Sequence, residues 1–568
     1  MTFAPTPSQT IGTIEAVLAA DDFDRDDYQN DGAHTYLYSQ EETKSQLPIT
    51  EENLIRIPLT SANCHVVQFD KSFITLKVEA TFPIAGFEAD NTNTYTLNGT
   101  ATANPQQANL RKALDYFVGL KHSTDCIGRY NVKHRNKVVA GMSQDHATLE
   151  SFLYHSYRSQ DDLTNRRGIH TMAESAFKDD LNSVCGEYIS LQECLDAHAN
   201  TNDKVTKTFT FIIPFNDILM FQQFKDYPSE LFGPLDIDFV FNPKAFVFKQ
   251  ADRDACVQSA ILRHNMTSNS TGSLVPLLNN AWSAIVSVEY AQVGDSLIGW
   301  INATTANPTS NVCSLDANLV SFGVPTIRVV EAHSTICGYN IRADKLEELR
   351  EKYKTQLWCK FTQTVSAQEF SSSFRQGVGF VSQLANFDNT TDMVVLFPST
   401  TNESYGTVYK NPMMDGLTLS VMGRKLPDMS LDTTTPRFVA MMLNASDTLH
   451  AAPLKEYVDS LSIYRYDSSG KIYPTCDLTT FFITLKCERP SAMGFILDGL
   501  DSKGRNVAVR LSGQIKDATY DEYQSAHPPP PILALVNDAM IAFSAANGGA
   551  INFTTEPVVK DPILEADD

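Results

Sequence analysis

The stretch TFTFIIPFNDILMFQQFKDYPSELFGPLDIDFVF, Thr208 to Phe241, decides how the rest of the chain is read. Phe209, Phe211 and Ile213 alternate with Thr208 and Thr210, and Leu235, Ile237, Phe239 and Phe241 alternate with Asp236 and Asp238. A period of two marks strands with one buried face. Between them Pro214 opens an expected helix that places Phe215, Ile218 and Leu219 on one side. The same plan recurs from Thr480 to Gly513: Phe481, Ile483 and Leu485 alternate with polar neighbours, Pro490 precedes Met493, Ile496, Leu497 and Leu500 at helical spacing, and Val507, Val509 and Leu511 form a second strand. Phe211 to Ile483 and Leu235 to Val507 are both 272 residues apart, which predicts equivalent places in two domains of similar architecture.

The totals agree with that division. At 568 residues the chain exceeds what one hydrophobic core organises. Hydrophobic residues at 42%, with 32 Phe and 21 Tyr, describe packed globular domains. Forty-five Lys and Arg against 67 Asp and Glu give a net charge of −22 with no basic run, which argues against direct nucleic-acid binding. The start, MTFAPTPSQT, has no basic n-region followed by an apolar stretch, and no run long enough to span a membrane follows, so an intracellular, soluble product is expected. Ten scattered cysteines without a CxxC pair fit reduced core residues better than disulfides or a zinc ribbon.

Outward from the opening stretch, residues 1–45 are polar and are expected as an acidic arm; the cluster at Asp21 to Gly32 fails the EF-hand spacing. A first domain is expected over 46–354. It has strands at Asn53 to Leu59 and Ser72 to Phe82, and helix-spaced residues at Ala108 to Tyr116 and His146 to Tyr157. A long insertion is expected over about 83–204, with 159–204 irregular. A strand at Ala281 to Tyr290, two short extended pieces at Val324 to Val330 and Ile336 to Ile341, and an exposed helix at Ala343 to Tyr353 follow. The second domain, 355–558, reads as short strands at Trp358 to Val365, Met393 to Phe397, Gly416 to Met422, Phe438 to Leu443 and Ser460 to Tyr466. After the second strand-helix-strand unit come Ile532 to Val536, Met540 to Ser544 and Ala550 to Thr554. Residues 559–568 form an acidic tail.

No nucleotide or hydrolase motif is present: GxGxxG after a strand, GxxxxGK[ST], GxSxG and HExxH are all missing. His146 and Glu150 lie four apart on one predicted helix, but His155 falls off their face, so these are expected as helix-surface residues rather than metal ligands. Asp236 and Asp238 share a strand face and match the paired acids of glycosidases in residue type only; with Ile237 on the apolar face, their side is expected in water. Only three Trp, at 282, 300 and 358, speak against a carbohydrate-active β-sandwich. Asn547-Gly548-Gly549-Ala550 is similar to sites cut by adenovirus-type maturation proteases and equally to a hairpin turn. No catalytic, cofactor-binding or metal-binding residue is assigned, and no enzyme activity or cofactor is expected.

Three stretches resemble one family. VGLKHSTDCIGRYNV (Val118 to Val132) with HATLESFLYHSYRS (His146 to Ser159), the Phe209 to Phe241 unit, and ILALVNDAMIAFSAANGGA (Ile532 to Ala550) resemble double jelly-roll major capsid proteins of Polinton-like and adintovirus elements and virophages. More distant likenesses are the poxvirus scaffold protein and adenovirus hexon. The resemblance implies two tandem jelly-roll β-sandwiches with helical insertions and a structural role in a viral capsid. It further implies homotrimeric capsomers tiling an icosahedral shell, assembled inside the host cell, with neighbouring trimers, penton and minor capsid proteins as partners. The alternative it leaves is a double jelly-roll scaffold of virion assembly.

Overall fold

A computed structural model of the chain describes residues 37–50, 53–87, 114–142, 146–156, 186–200, 202–252 except 223, 320–355, 358–398 except 374–378, 406–445 with short gaps, 480–487, 499–515 except 503, 529–544 and 549–553, together with short paired stretches at 95–102, 291–301 and 313–314.

Eight strands of the first half build two sheets. They are β1 (Leu37–Glu42), β2 (Ile55–Pro58), β3 (Phe73–Phe87), β4 (Ile127–His134), β5 (Lys137–Met142), β6 (Lys204–Pro214), β7 (Leu235–Phe241) and β8 (Thr326–Tyr339). One sheet has the order β1-β8-β3-β6, extended by short strands to nine, and the other β2-β7-β4-β5, all antiparallel. Eight strands of the second half are β9 (Trp358–Glu369), β10 (Phe380–Ala385), β11 (Thr390–Leu396), β12 (Met414–Val421), β13 (Arg424–Leu431), β14 (Phe482–Lys486), β15 (Val507–Ile515) and β16 (Ile532–Ser544). Their sheets are β9-β16-β11-β14 and β10-β15-β12-β13. Each half therefore pairs its first, eighth, third and sixth strands, and its second, seventh, fourth and fifth. That is the doubled Greek key of a jelly roll, laid down twice.

The 272-residue repeat falls on matching strands: Phe211 and Ile483 lie in the sixth strand of each half, Leu235 and Val507 in the seventh. Register slips by one pleat. The last residue of β4, His134, pairs with Leu235, whereas the last of β12, Val421, pairs with Val509, two residues beyond Val507. A shift of two keeps every side chain on its original face.

The inner faces follow the alternation in the sequence. Ile74, Leu76, Val78, Ala80 and Phe82 of β3 are buried beside Phe209, Phe211 and Ile213 of β6. Facing them are Ile237 and Phe239 of β7 with Val132 of β4. At about 25 cal/mol per Å² of apolar surface removed from water, these two faces supply the main drive for folding.

Several expectations are corrected. The acidic arm ends in β1, whose polar LYSQEE suits an edge strand paired, among the described residues, with β8 alone. Residues 83–204 are not one insertion, since β4 and β5 inside them complete a jelly-roll sheet. Leu114–Gly119 is a strand where the spacing suggested a helix. Within 159–204, Gly186–Ser190 is a strand that runs into helix α2 (Leu191–Ala199), closed by a Ser190–Glu193 capping box. Pieces from three connections, Leu114–Gly119, Gly186–Ser190, Val247–Asp252 and Ala291–Gln292, join into a further four-stranded sheet. The two pieces expected at Val324 to Val330 and Ile336 to Ile341 belong to one long strand, Thr326–Tyr339, with a bulge between Val329 and Glu331, and Ile532–Ser544 is likewise one strand.

Phe438 to Leu443 is part of a helix, α4 (Pro436–Ala445), because Phe438 and Met442, four apart, are the buried pair. Helices α1 (Ala147–Ser156) and α3 (Ala343–Thr355) stand where expected, with Leu349 and Tyr353 of α3 buried. Ala281 to Tyr290, Ser460 to Tyr466, the acidic cluster at 21–32, Met493, Ile496, Leu497 and the tail 559–568 lie outside the described residues.

Candidate functional site

The middle of the opening stretch, Phe215 to Phe232, is not a helix along its length. It forms 3-10 turns at Phe215–Asp217 and Leu219–Phe221, separated by an extended Ile218, then a single helical turn at Ser229–Phe232. Phe215, Ile218, Leu219, Met220, Phe221 and Phe224 are all buried, and at helical spacing these six would point all round the axis rather than along one face. The jelly-roll cores lie on both sides of it. Phe69 meets Phe215, Phe221, Phe224 and Tyr227 at centroid distances of 5.3, 5.0, 5.9 and 6.0 Å on the first-half side.

On the other side stands Trp358, the first residue of β9. Its ring stacks on Phe232 at 5.1 Å and 10°, meets Phe224 edge-on at 5.9 Å, and touches Phe543 of β16 at 5.3 Å. Tyr353 of α3 closes on Phe232 at 5.3 Å. Three polar groups within this junction are matched, the Thr362 hydroxyl donating to Met220 O at 3.0 Å, the Tyr227 hydroxyl to Gly233 O at 2.8 Å, and a His134 ring nitrogen lying 2.6 Å from Phe232 O, whereas the buried Trp358 Nε1 has no hydrogen-bond partner among the described residues. Gly233 sits at φ 104 with the Arg135 guanidinium where a Cβ would project, so glycine is required at that turn. Large aromatic areas in offset and edge contact make a junction that does not slide.

Helix α1 is a second bolt between the halves. Phe152 packs on Tyr409 at 4.6 Å and on Phe482 of β14 at 6.4 Å, and the Tyr154 hydroxyl donates to Asn216 O at 2.7 Å. His146, Glu150 and His155, expected on the surface, are buried because α1 is covered from both sides. Beneath it the VGLKHSTDCIGRYNV segment supplies a polar network. Ser151 donates to Asp125 Oδ1 at 2.7 Å; Thr124 Oγ1 lies 2.5 Å from Ser151 Oγ and 2.9 Å from His155 Nε2; Tyr130 donates to Glu150 Oε1 at 2.9 Å; and the His122 and His155 rings stack at 3.9 Å. Burial pushes the Asp125 carboxyl up to about 7 and that of Glu150 up to about 8, against the hydrogen bonds that oppose it. Among the described residues no group of three or more His, Cys, Asp or Glu is arranged to hold a metal ion.

Asp236 and Asp238 are likewise buried, and the reason is cross-strand charge. Arg56 of β2 grips Asp238 with two bonds, Nε to Oδ1 at 2.7 Å and a terminal nitrogen to Oδ2 at 2.9 Å, and Lys133 of β4 bonds the same carboxylate. Lys44 Nζ lies 2.6 Å from both oxygens of Asp236. Burial raises the Asp238 carboxyl, but its Arg56 and Lys133 partners outweigh that and hold it below the usual range. These are ion pairs, with Lys44 on Asp236 and both Arg56 and Lys133 on Asp238. The alternation of LDIDF placed both acids on one face; it carried no sign of the cations, which come from chain positions up to 192 residues away.

Trp358 is buried in the junction and not in a sugar groove. Cys64, Cys126, Cys194 and Cys337 are free and buried, as core cysteines are. Gly549 opens the strand Gly549–Phe553 and pairs with Ser544, the register of a hairpin; residues 545–548 lie outside the described residues. Among the described residues no helix is long and apolar enough to cross a membrane.

No protein-family model matches the chain, and no curated protein matches it. Three solved structures are similar to it in outline. The mavirus major capsid protein aligns at TM-score 0.45 and 9% identity over 94% of this chain and 92% of that one. The Sputnik virophage structure aligns at 0.43 and 10% over 94% and 91%, and the faustovirus major capsid protein at 0.36 and 9% over 90% and 90%. The strand order stands on its own beside these likenesses: the chain is a double jelly roll, two eight-stranded sandwiches joined by a buried aromatic junction.

Proposed function

We propose that the chain is a viral major capsid protein whose homotrimers form pseudo-hexagonal capsomers of an icosahedral shell. The observation that carries this reading is the doubling: the same eight-strand order occurs twice in one chain, with the two rolls locked through Trp358, Phe232 and Phe543. Two like units fixed at one angle give three chains six like units around an axis, so a trimer presents a near-hexagonal outline. The resemblance of the Val118 to Val132, Phe209 to Phe241 and Ile532 to Ala550 stretches to double jelly-roll capsid proteins supports the same reading.

In that role the first roll and its insertions occupy about 46–354, preceded by the strand at Leu37–Glu42, and the second roll about 355–558. The insertion sheet is suited to the outer towers and contacts between subunits. Partners are other copies, penton and minor capsid proteins. The net charge of −22 leaves genome contacts to other proteins. The location is the virion, after assembly in the host cell. Light scattering of the purified full chain tests the oligomer: three chains of 62.9 kDa give about 189 kDa, and a monomer at micromolar concentration overturns the proposal. Electron microscopy then reads the hexagonal outline directly.

A further inference from the structure

The buried network under α1 has an order that its contacts fix. His122 N–H donates to Asp125 Oδ2 at 2.9 Å, so a proton on this carboxyl belongs on Oδ1, which faces Ser151 Oγ at 2.7 Å. From there the contacts run in single file, Ser151 Oγ to Thr124 Oγ1 at 2.5 Å and Thr124 Oγ1 to His155 Nε2 at 2.9 Å. Each hydroxyl has one hydrogen to give, so the arrangement at one end sets the arrangement at the other. With Asp125 protonated, the hydrogens point from Oδ1 through Ser151 and Thr124 into His155 Nε2, and the imidazole keeps its own on Nδ1. With Asp125 ionised they point the other way, from Nε2–H through Thr124 and Ser151 to Oδ1. Passing from the first form to the second moves one hydrogen across each of the three contacts and releases one proton from Nδ1.

Two members of this relay, Ser151 and His155, lie four apart on α1, and the other two, Thr124 and Asp125, lie in the 3-10 turn Ser123–Cys126 of the first roll. All four are buried. The relay therefore ties α1 to the first roll, while Phe152, next to Ser151, ties it to Tyr409 and Phe482 of the second. The charged and titratable groups packed around it come from every side. Lys121 and Cys126 flank Asp125, His122 stacks on His155, and His146 and Glu150 share α1. Tyr130 bonds Glu150 from β4, Lys244 lies on the adjoining turn Pro243–Ala245, and Asp217 follows the Asn216 carbonyl that Tyr154 bonds. Lys121 pulls Asp125 towards its ionised form, and burial outweighs that pull. Closing α1 over an ionised Asp125 encloses a charge, and closing it over the neutral form encloses none.

We infer that the relay from Asp125 through Ser151 and Thr124 to His155 is a proton-operated catch on α1: in its neutral form it holds the Phe152 bolt between the rolls shut, and once its proton is released α1 can lift. Outside the fold an aspartate ionises at about 4, whereas in the relay Asp125 keeps its proton up to about 7. Between those values the closed helix binds one proton more than the open one. Opening therefore becomes easier as pH rises, by up to about tenfold per pH unit, and levels off above about 7. Glu150, which keeps its proton up to about 8, adds a second increment that does not pass through the relay. The half of the junction around Trp358 rests on ring contacts and stays shut through the same range.

Hydrogen–deuterium exchange of the full chain between pH 5 and pH 8, corrected for the intrinsic pH dependence of amide exchange, tests the catch. From pH 5 to pH 7 the protection of residues 147–156 is expected to fall at least about 30-fold more than that of residues 73–82 in β3. Glu150→Gln should keep at least about 10-fold of that fall, and adding Asp125→Asn should abolish it. A double variant as pH-dependent as Glu150→Gln alone overturns the catch, and so does a parent in which both segments lose protection together. Should Asp125→Asn fail to fold, magic-angle-spinning spectra of the chain labelled with nitrogen-15 histidine decide the matter. One ring passing from the Nδ1–H to the Nε2–H tautomer over this range in the parent, but not in Thr124→Val, supports the relay. A parent in which no ring changes tautomer, or a change that survives Thr124→Val, overturns it.

Discussion

Strands β7 and β15 hold the same place in the two rolls, seventh in order and flanked by the second and fourth strands, yet their outer faces solve different problems. On β7, Asp236 and Asp238 are buried beneath Lys44, Arg56 and Lys133. On β15, Arg510 lies over the ring of Phe380 on the neighbouring β10 at 3.9 Å, and Phe380 remains half exposed. The helices that follow the fifth strand differ in the same sense: α1 buries Glu150 above Asp125, while α4 buries Phe438 and Met442. The first roll thus hides charge and polar groups that must be matched, and the second hides mostly carbon. Identical strand order with dissimilar outer faces shows that the inner alternation builds the roll, and that outer positions are free to specialise.

The contrast can be broken or sharpened by substitution. The largest effect is expected where the two rolls meet. Trp358→Ala removes the ring that touches Phe224, Tyr227, Phe232 and Phe543, and should cost about 3–5 kcal/mol in urea unfolding. A loss below about 1 kcal/mol would mean the rolls are not mutually supporting. Next comes Arg56→Ala, which leaves the Asp238 carboxylate, 2% exposed, with Lys133 alone; a loss of about 2–4 kcal/mol is expected.

Smaller is the pH effect, which should come from the first roll. In the unfolded chain Asp125 and Glu150 ionise near their ordinary values of about 4. In the fold they keep their protons up to about 7 and about 8. The folded state therefore holds more protons across that window, and stability falls as pH rises through it, by about 1–3 kcal/mol between pH 6 and pH 8. Glu150→Gln together with Asp125→Asn should flatten that slope in urea titrations, and an unchanged slope would show these groups are not its source. Asp238 acts with the opposite sign: its contribution, present at neutral pH, is lost only as pH falls through its depressed value. The smallest change is Arg510→Ala, expected at about 0.5–1 kcal/mol because its contact with Phe380 is open to water. If Arg510→Ala cost as much as Arg56→Ala, the distinction between the two faces would fall.

Much of the fold is legible in the residues. The alternations of Phe209 to Ile213 and Leu235 to Phe241, the repeat 272 residues on, and the stripe on α3 all correspond to strands and a helix of the fold. The departures share a cause. Spacing alone makes Phe215 to Phe232 a helix and turns His146, Glu150, Asp236 and Asp238 to solvent, because periodicity reports how many faces an element buries only when a single neighbour covers it. Each of these is covered twice, by its own roll and then by the other roll or by cations from distant strands. The polar β1 carries little strand signal because an edge strand needs few apolar residues.

What the sequence determined by itself was the alternation of inner faces and their duplication, since both are local properties of spacing along the chain. Only the tertiary structure decided the order of strands in the sheets, the aromatic junction around Trp358, and the partners of the buried acids. Those depend on contacts between residues far apart in sequence, such as Thr362 with Met220 or Lys44 with Asp236, where nothing in the local pattern of either residue names the other.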